Sequence, residues 1–334
     1  MLPLYRSVPR ALRIFKFQSF PKTALGTLGV LTSLRRQKDS GPTMLTFSIS
    51  PDYARVWHWF AQRYLPSWNK VIVDCAGTLQ PERVPGASVV RFANLAHGKK
   101  IDVFLTNYLN AEIVFLCDDD KYIVADLTDA VHDVERPTTA AISLAPRDWY
   151  AIRIGEHTYR PMGSYALILK RSAFLQRKLS FKNVKRPFVT RVVPPRTKEP
   201  FGYDCADYAN EQLLKEGMEI ITDRYQNRVT GFDGLSAPRI FLMRYGKRFA
   251  LDALRAAPHF KKGSLNGVMA RTLYGVAQFE KLYRTIFRED PMFVSDLTTA
   301  DLRAIIKDPD VIASYDATDR VLTNLRDHVT NLLQ

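Results

Sequence analysis

Short apolar runs alternate with stretches of helical spacing through the first half of the chain. Leu45–Ser50 is a brief apolar run that ends at Ser50-Pro51-Asp52. Tyr53–Leu65 then places Val56, Trp57, Phe60 and Tyr64 at helical spacing, and Trp57 and Trp59 read as packing residues. Lys70-Val-Ile-Val-Asp74 and Ile113–Cys117 are near-continuous apolar strands, with the shorter strand Ser88–Phe92 between them. Gly98–Leu109 reads as a helix with Ile101, Phe104, Leu105 and Tyr108 on one face. Strands apolar on both faces, alternating with helices, predict a parallel-type sheet covered by helices, an α/β fold.

The texture changes after residue 138. Ala140–Leu144 and Ala166–Leu169 read as strands around a stretch that holds Trp149, Tyr150, Arg153, Tyr159 and Arg160. Asn183–Glu199 is rich in Pro, Arg and Lys and reads as a loop, and Asp204–Gly217 as a helix stopped by its glycine. Beyond residue 236, Leu251–Ala257, Leu265–Phe287, Thr299–Lys307 and Ala317–Leu333 show helical spacing. The predicted organisation is a basic appendage over 1–43, an α/β domain over 44–235 and a helical region over 236–334.

Composition excludes several classes. Of 334 residues, 46% are hydrophobic and 25% charged, which rules out a disordered or collagen-like chain. No eighteen-residue apolar run exists, so no spanning helix is predicted. Cys75, Cys117 and Cys205 are odd in number and form no CxxC pair, which argues against a disulfide framework or a cysteine zinc site and for small core residues in a reducing compartment. The net charge of +14 is concentrated: Arg6, Arg10, Arg13, Lys16, Lys22, Arg35, Arg36 and Lys38 fall in residues 1–38 without one acidic residue. That field suits anionic lipid head groups or phosphates. With Leu12, Ile14, Phe15, Phe17, Phe20 and the run Ala24–Leu31, it predicts an interfacial anchor, an organellar transit segment, or a basic tail ahead of a start at Met44. The expected location is cytoplasmic, peripheral to an anionic membrane, or organellar. No RNA-binding motif is present, so nucleic acid is not an expected partner.

The sharpest chemical signal is Glu112-Ile-Val-Phe-Leu-Cys-Asp118-Asp119-Asp120. Three carboxylates after a buried strand raise one another's pKa unless a cation neutralises them, and hard oxygen ligands suit Mg²⁺ or Mn²⁺. Ligands of open α/β sheets bind beyond the carboxyl ends of strands. An acidic turn without ligand explains the same three letters. GxxxxGK[ST], GxGxxG after a strand, GxSxG and zinc spacings are all missing.

Leu45–Ser50, Val71-Ile-Val-Asp74-Cys-Ala-Gly77, Asn94…Gly98-Lys99-Lys100 and Ile113–Asp120 together resemble the nucleotide-sugar half of a GT-A glycosyltransferase. The likeness continues through Pro161–Arg171, similar to the family's acceptor-side strand, to Asp204-Cys-Ala-Asp207, and covers about residues 45–220. It implies a Rossmann-like, mixed and mostly parallel sheet flanked by helices, and a metal-dependent transfer from a nucleotide-diphosphate sugar to a saccharide, lipid-linked or protein acceptor, with inversion as the first expectation. By the same resemblance Pro51, Asp52 and Asp74 hold the nucleoside and Lys99 or Lys100 faces the nucleotide. Asp118 and Asp120 hold the metal, with Asp119 between them on the donor side. The catalytic base falls on Asp204 or Asp207, although either also suits a helix cap. A late third metal ligand, often histidine in such folds, maps to Asp233 in Thr230-Gly-Phe-Asp-Gly234, where the turn alone explains an aspartate. His259 is a second candidate or a solvated residue of a basic loop, and His97 reads as a surface-loop residue first and a phosphate contact second. Trp149, Tyr150, Tyr159 and Tyr165, with Arg153 and Arg160, form either a sugar platform or ordinary packing.

Two other readings compete. A nucleotidyltransferase would carry a glycine- and base-rich loop after the first strand, where Pro51-Asp52-Tyr53-Ala54-Arg55 stands instead. A glycosyltransferase-like domain without activity would serve as a binding or assembly module.

Overall fold

The computed structural model describes residues 20–187, 190–192, 202–257, 260 and 265–334. Helix α1 (Phe20–Leu31) leads to β1 (Thr43–Ser48), α2 (Pro51–Tyr64), β2 (Asn69–Asp74), β3 (Ala87–Arg91) and α3 (His97–Val103), which continues as a π-helical stretch, Phe104–Tyr108. Then come β4 (Ile113–Cys117), β5 (Lys121–Ile123), α4 (Thr128–Glu135), β6 (Thr139–Ser143), β7 (Ala151–Ile154), β8 (His157–Tyr159), β9 (Ala166–Lys170) and α5 (Arg171–Gln176). The short strands β10 (Val184–Pro187), β11 (Arg191–Val192) and β12 (Gly202–Tyr203) precede α6 (Asp207–Lys215), β13 (Glu219–Ile221) and β14 (Val229–Gly231). Four helices close the chain: α7 (Ser236–Arg255), α8 (Leu265–Phe287), α9 (Thr299–Ile305) and α10 (Pro309–Leu333).

The main sheet has seven strands in the order β13-β6-β9-β4-β1-β2-β3, parallel except for β9, which runs antiparallel to both neighbours. The near-continuous apolar runs have the cause expected of them. On β4, Ile113, Phe115 and Cys117 enter one core while Val114 and Leu116 enter the other; on β2, Ile72 faces the first and Val71 and Val73 the second. The α/β class, a mixed and mostly parallel sheet flanked by helices with a helical C-terminal region, is therefore the fold observed.

Several boundaries differ from the sequence reading. Helix α2 begins at Pro51, because the Ser50 hydroxyl accepts a hydrogen bond from the Tyr53 N–H (3.3 Å) and proline suits the first turn. Asp308 caps α10 in the same way, eight residues before the predicted start. The predicted helix Leu251–Ala257 is the end of α7, which breaks at Gly246 (φ 76°). The predicted loop Asn183–Glu199 contains β10 and β11; its residues 188–189 and 193–199 lie outside the described residues.

The division into three regions is not a division of the core. Tyr53 of α2 meets Phe279 of α8 edge to face at 4.4 Å, and both belong to the cluster that also holds Phe115 and Leu235. The helical region is thus a layer on the sheet, not a separate body. Residues 20–43 are likewise not a free appendage. Val30 sits in the second core, and the Thr27 hydroxyl accepts from the Ala93 N–H (2.8 Å). Residues 1–19 lie outside the described residues. Among the described residues no helix is long and apolar enough to cross a membrane.

Where α3 starts, a Cβ on Gly98 would fall on the carbonyl oxygen of Phe181. Gly98→Ala is expected to cost about 3 kcal/mol of stability, read from urea unfolding, since backbone on both sides leaves nothing to repack.

Candidate active site

The carboxyl ends of β1, β2 and β4 meet at one edge of the sheet, and each ends in a polar residue: Ser48, Asp74 and, just past Cys117, the three aspartates. Asp118 is the most accessible of the three, with 31% of its side chain exposed. Asp119 and Asp120 are buried. The Ser48 hydroxyl donates to Asp119 Oδ2 at 2.5 Å, and the Leu235 N–H donates to Asp120 Oδ2 at 3.1 Å.

All three carboxyls bind their protons more tightly than usual. Desolvation, then the charges of Asp120 and Asp119, pushes Asp118 well above the ordinary carboxylate range. Asp119 rises to about 7, through desolvation first and then Asp120, against the Ser48 hydrogen bond and the charges of Lys100 and Arg239. Asp120 rises to about 6, again through desolvation, opposed by Lys121 and by the backbone of Leu235 and Gly234.

Lys100 and Lys99 separate cleanly. Lys100 is buried, bonds Asn94 Oδ1 at 3.0 Å, and adds positive potential at Asp118 and Asp119; Lys99 is exposed. His97 is drawn into the site, with Nε2 3.8 Å from Asp118 Oδ1 and its ring edge-on to Phe47 at 5.9 Å. The expected surface-loop position is therefore corrected: the tight start of α3 at Gly98 carries it to the triplet.

Two carboxylates assigned to the nucleoside are engaged within the fold. Asp52 is fully buried, forms an ion pair with Arg239 and accepts from the Met292 N–H (2.9 Å) and the Phe293 N–H (3.4 Å). It fastens the C-terminal helices to α2, and with Pro51 it lies inside the first turn of that helix. Asp74 accepts from the N–H groups of Ala76 (3.1 Å), Gly77 (2.7 Å) and Leu79 (3.0 Å), and so shapes the loop after β2.

Pairing of β5 with β14 brings the predicted glycine turn to the triplet. Gly231 has no room for a Cβ, which would strike the carbonyl of Asp120. Asp233 itself is turned outward, exposed and paired with Lys121, and its charge raises the pKa of Asp120. His259 lies outside the described residues.

The backbone places Asp204 and Asp207 in different surroundings. Ala206, not an aspartate, is the N-cap of α6, and it stands in the left-handed region at φ 71°. An alanine there costs about 1 kcal/mol, strain located between the two candidates. Asp207 is fully buried against Arg147 (Oδ1 to Nη1, 2.6 Å), accepts from the Tyr150 hydroxyl and takes the Asp204 N–H at 2.7 Å. Its chemistry is consumed by the fold. Asp204 keeps 55% of its side chain exposed, bonds Asn183 Nδ2 at 3.0 Å, and lies 3.6 Å from Arg147 Nη2. Its charge acts on Tyr165 and Cys205, as does that of Asp118.

Among the aromatic candidates, Trp149 is exposed, and it and Tyr165 lie 5.7 and 5.8 Å from the Arg147 guanidinium. Tyr150 is committed to Arg147 and Asp207. Tyr159 stacks on His157 in the small β7–β8 sheet, Arg160 pairs with Asp148, and Arg153 is exposed.

Sequence reasoning missed Arg147, Arg239 and Ser48. Both arginines are buried, and each follows an Ala-Pro pair, Ala145-Pro146 and Ala237-Pro238. An isolated arginine behind a proline in a mostly apolar stretch is the one local mark they leave.

No protein-family model matches the chain, and no curated protein matches it. A solved structure of WbbM, a bifunctional glycosyltransferase in its apo form, is similar over 42% of this chain with a TM-score of 0.29 and 10% identity. The match spans 33% of that chain. A likeness this slight carries no argument about chemistry.

Two predictions follow from the titration and the packing. Asp119 is about 7 folded and near 3.8 unfolded, so from pH 4 to pH 7 the native state holds the extra proton and stability falls as pH rises. In chelator, Asp119→Asn should therefore melt above wild type at pH 8 and with it at pH 4. Asp207→Ala strands Arg147 and is expected to cost about 3–5 kcal/mol, whereas Asp204→Ala stays within about 1 kcal/mol, both by urea titration.

Proposed function

We propose that the chain transfers a sugar from a nucleotide-diphosphate donor to a hydroxyl acceptor, with Asp118 on the donor side and Asp204 on the acceptor side. The observation that carries this reading is the set of three desolvated carboxylates past β4, with Lys100 and His97 beside them, while Asp204 stays accessible next to Arg147.

The donor set bears on the metal. Among the described residues no three His, Cys, Asp or Glu side chains converge on a common cation position. Mg²⁺ and Mn²⁺ at such sites are commonly held by one or two carboxylates together with substrate phosphates and water, not by a protein cage. Asp118 and Asp120 fit that smaller role, and their raised proton affinity is what an uncompensated cation site shows. Such an ion, when bound, neutralises charge on the leaving diphosphate.

The chain's own residues supply the rest. Lys100, fixed by Asn94, adds positive potential where phosphate oxygens would lie. Ser48 and Leu235 hold Asp119 and Asp120 in place. Asp204 takes the proton of the acceptor hydroxyl as its oxygen bonds the anomeric carbon and the bond from that carbon to the diphosphate oxygen breaks. The nucleoside diphosphate leaves, with inversion at the carbon. Trp149 offers an exposed ring for the apolar face of a saccharide acceptor.

Asp118→Asn is expected to abolish the Mn²⁺-dependent thermal shift with nucleoside diphosphates. Asp204→Asn should keep that shift while lowering turnover by about 10²–10⁴. Pyrophosphate as the product in place of nucleoside diphosphate would establish the nucleotidyltransferase reading. A folded wild type without a shift for any nucleotide would establish the assembly module.

A further inference from the structure

Helix α1 is built inside out for a surface helix. Its inner face uses small residues: Thr23, Gly26 and Val30 are buried against β3 and the π-helical stretch. Its outer face carries Leu25, Leu28 and Leu31, exposed by 71%, 58% and 44%, and Leu34 beyond the helix is exposed by 86%. At 100° per residue Leu25, Leu28 and Leu31 span one arc of about 120°, opposite the buried set. The helix cannot roll to hide them. A Cβ on Gly26 would strike the Arg91 carbonyl, so helix and edge strand touch backbone to backbone. Thr27 bonds the Ala93 N–H (2.8 Å), and Asn107 Nδ2 donates to the Leu31 carbonyl (3.0 Å).

The rim of this leucine row is basic. Lys22 lies near its start, and Arg35, Arg36 and Lys38 lie at its end, all exposed. The Arg35 N–H donates to the Gly29 carbonyl (2.9 Å), and the Gln37 N–H to the Tyr108 carbonyl (2.8 Å), which fix the basic turn beside the leucines. We infer that the outer face of α1 docks the protein on an anionic lipid bilayer, leucines in the acyl boundary and the basic residues at the head groups. Charge selects this occupant. A second copy would bring Lys22, Arg35, Arg36 and Lys38 against their own like. Residues 1–19 carry Arg6, Arg10, Arg13 and Lys16 and no acid, so they are repelled by the same rim and attracted to the same anions. Shallow burial of an apolar arc with flanking cations is how interfacial helices bind.

The test is co-sedimentation of the full chain with phosphatidylcholine vesicles, with and without phosphatidylglycerol. Wild type should partition to the mixed vesicles only and be released by salt. Arg35→Gln with Arg36→Gln should weaken binding about thirty-fold. Leu25→Gln with Leu28→Gln and Leu31→Gln should weaken it by about tenfold or more at an unchanged melting temperature. Equal binding to both vesicle types, or variants that bind like wild type, would overturn the inference. So would a wild-type dimer that the leucine variant converts to monomer without any vesicle binding. Loss of all binding on neutralising Arg6, Arg10, Arg13 and Lys16, with the leucine variant unaffected, would move the contact to the first residues and overturn it too.

Discussion

Repulsion among Asp118, Asp119 and Asp120 at the end of a buried strand is the constraint to which the surrounding structure answers. Desolvation raises all three proton affinities, and the neighbouring elements respond with groups that favour negative charge. β1 sends the Ser48 hydroxyl, α3 sends Lys100, β5 carries Lys121, and the turn after β14 sends the Leu235 N–H. Arg239 acts from beneath, while its direct partner is Asp52. These contributions come from segments far apart in sequence, so the sheet order and the packing of α7 are conditions of the site and not merely its support.

A second charged centre has the opposite character. Arg147 and Asp207 are both buried and paired, and Tyr150 and the Cys205 carbonyl complete the cage. Such a pair adds little net stability over an apolar replacement, because two charges had to be desolvated to form it. Its effect is geometric. It fixes the start of α6, holds Ala206 in the left-handed region, and leaves Asp204 exposed.

Much of the sheet was legible because burial on both faces writes itself as uninterrupted apolar letters, as in Ile113–Cys117. The triplet was legible because clustered carboxylates after such a strand are uncommon in an ordinary core. Asp204 and Asp207 could not be separated in sequence: both precede the same helix, and the difference lies in a backbone angle at Ala206 and in an arginine sixty positions away in the fold's other half. In sequence Asp52 and Asp74 are assigned to the nucleoside, because a sequence does not show which N–H groups or guanidinium will take them up. The edge helix read as part of an appendage because a basic, leucine-rich segment has the same composition whether or not a glycine lets it touch Arg91.

The pairing of Asp52 with Arg239 joins positions 187 residues apart. A ribosome makes chains from the amino end, so the sheet and its triplet emerge well before the arginine that faces them. Through that interval the acidic edge is exposed without part of its positive surroundings, and the Asp52 carboxylate waits at the start of α2. Closure of a loop this long is slow relative to local helix formation. The charge pattern around the triplet is therefore complete only once α7 has been made and Arg239 reaches Asp52.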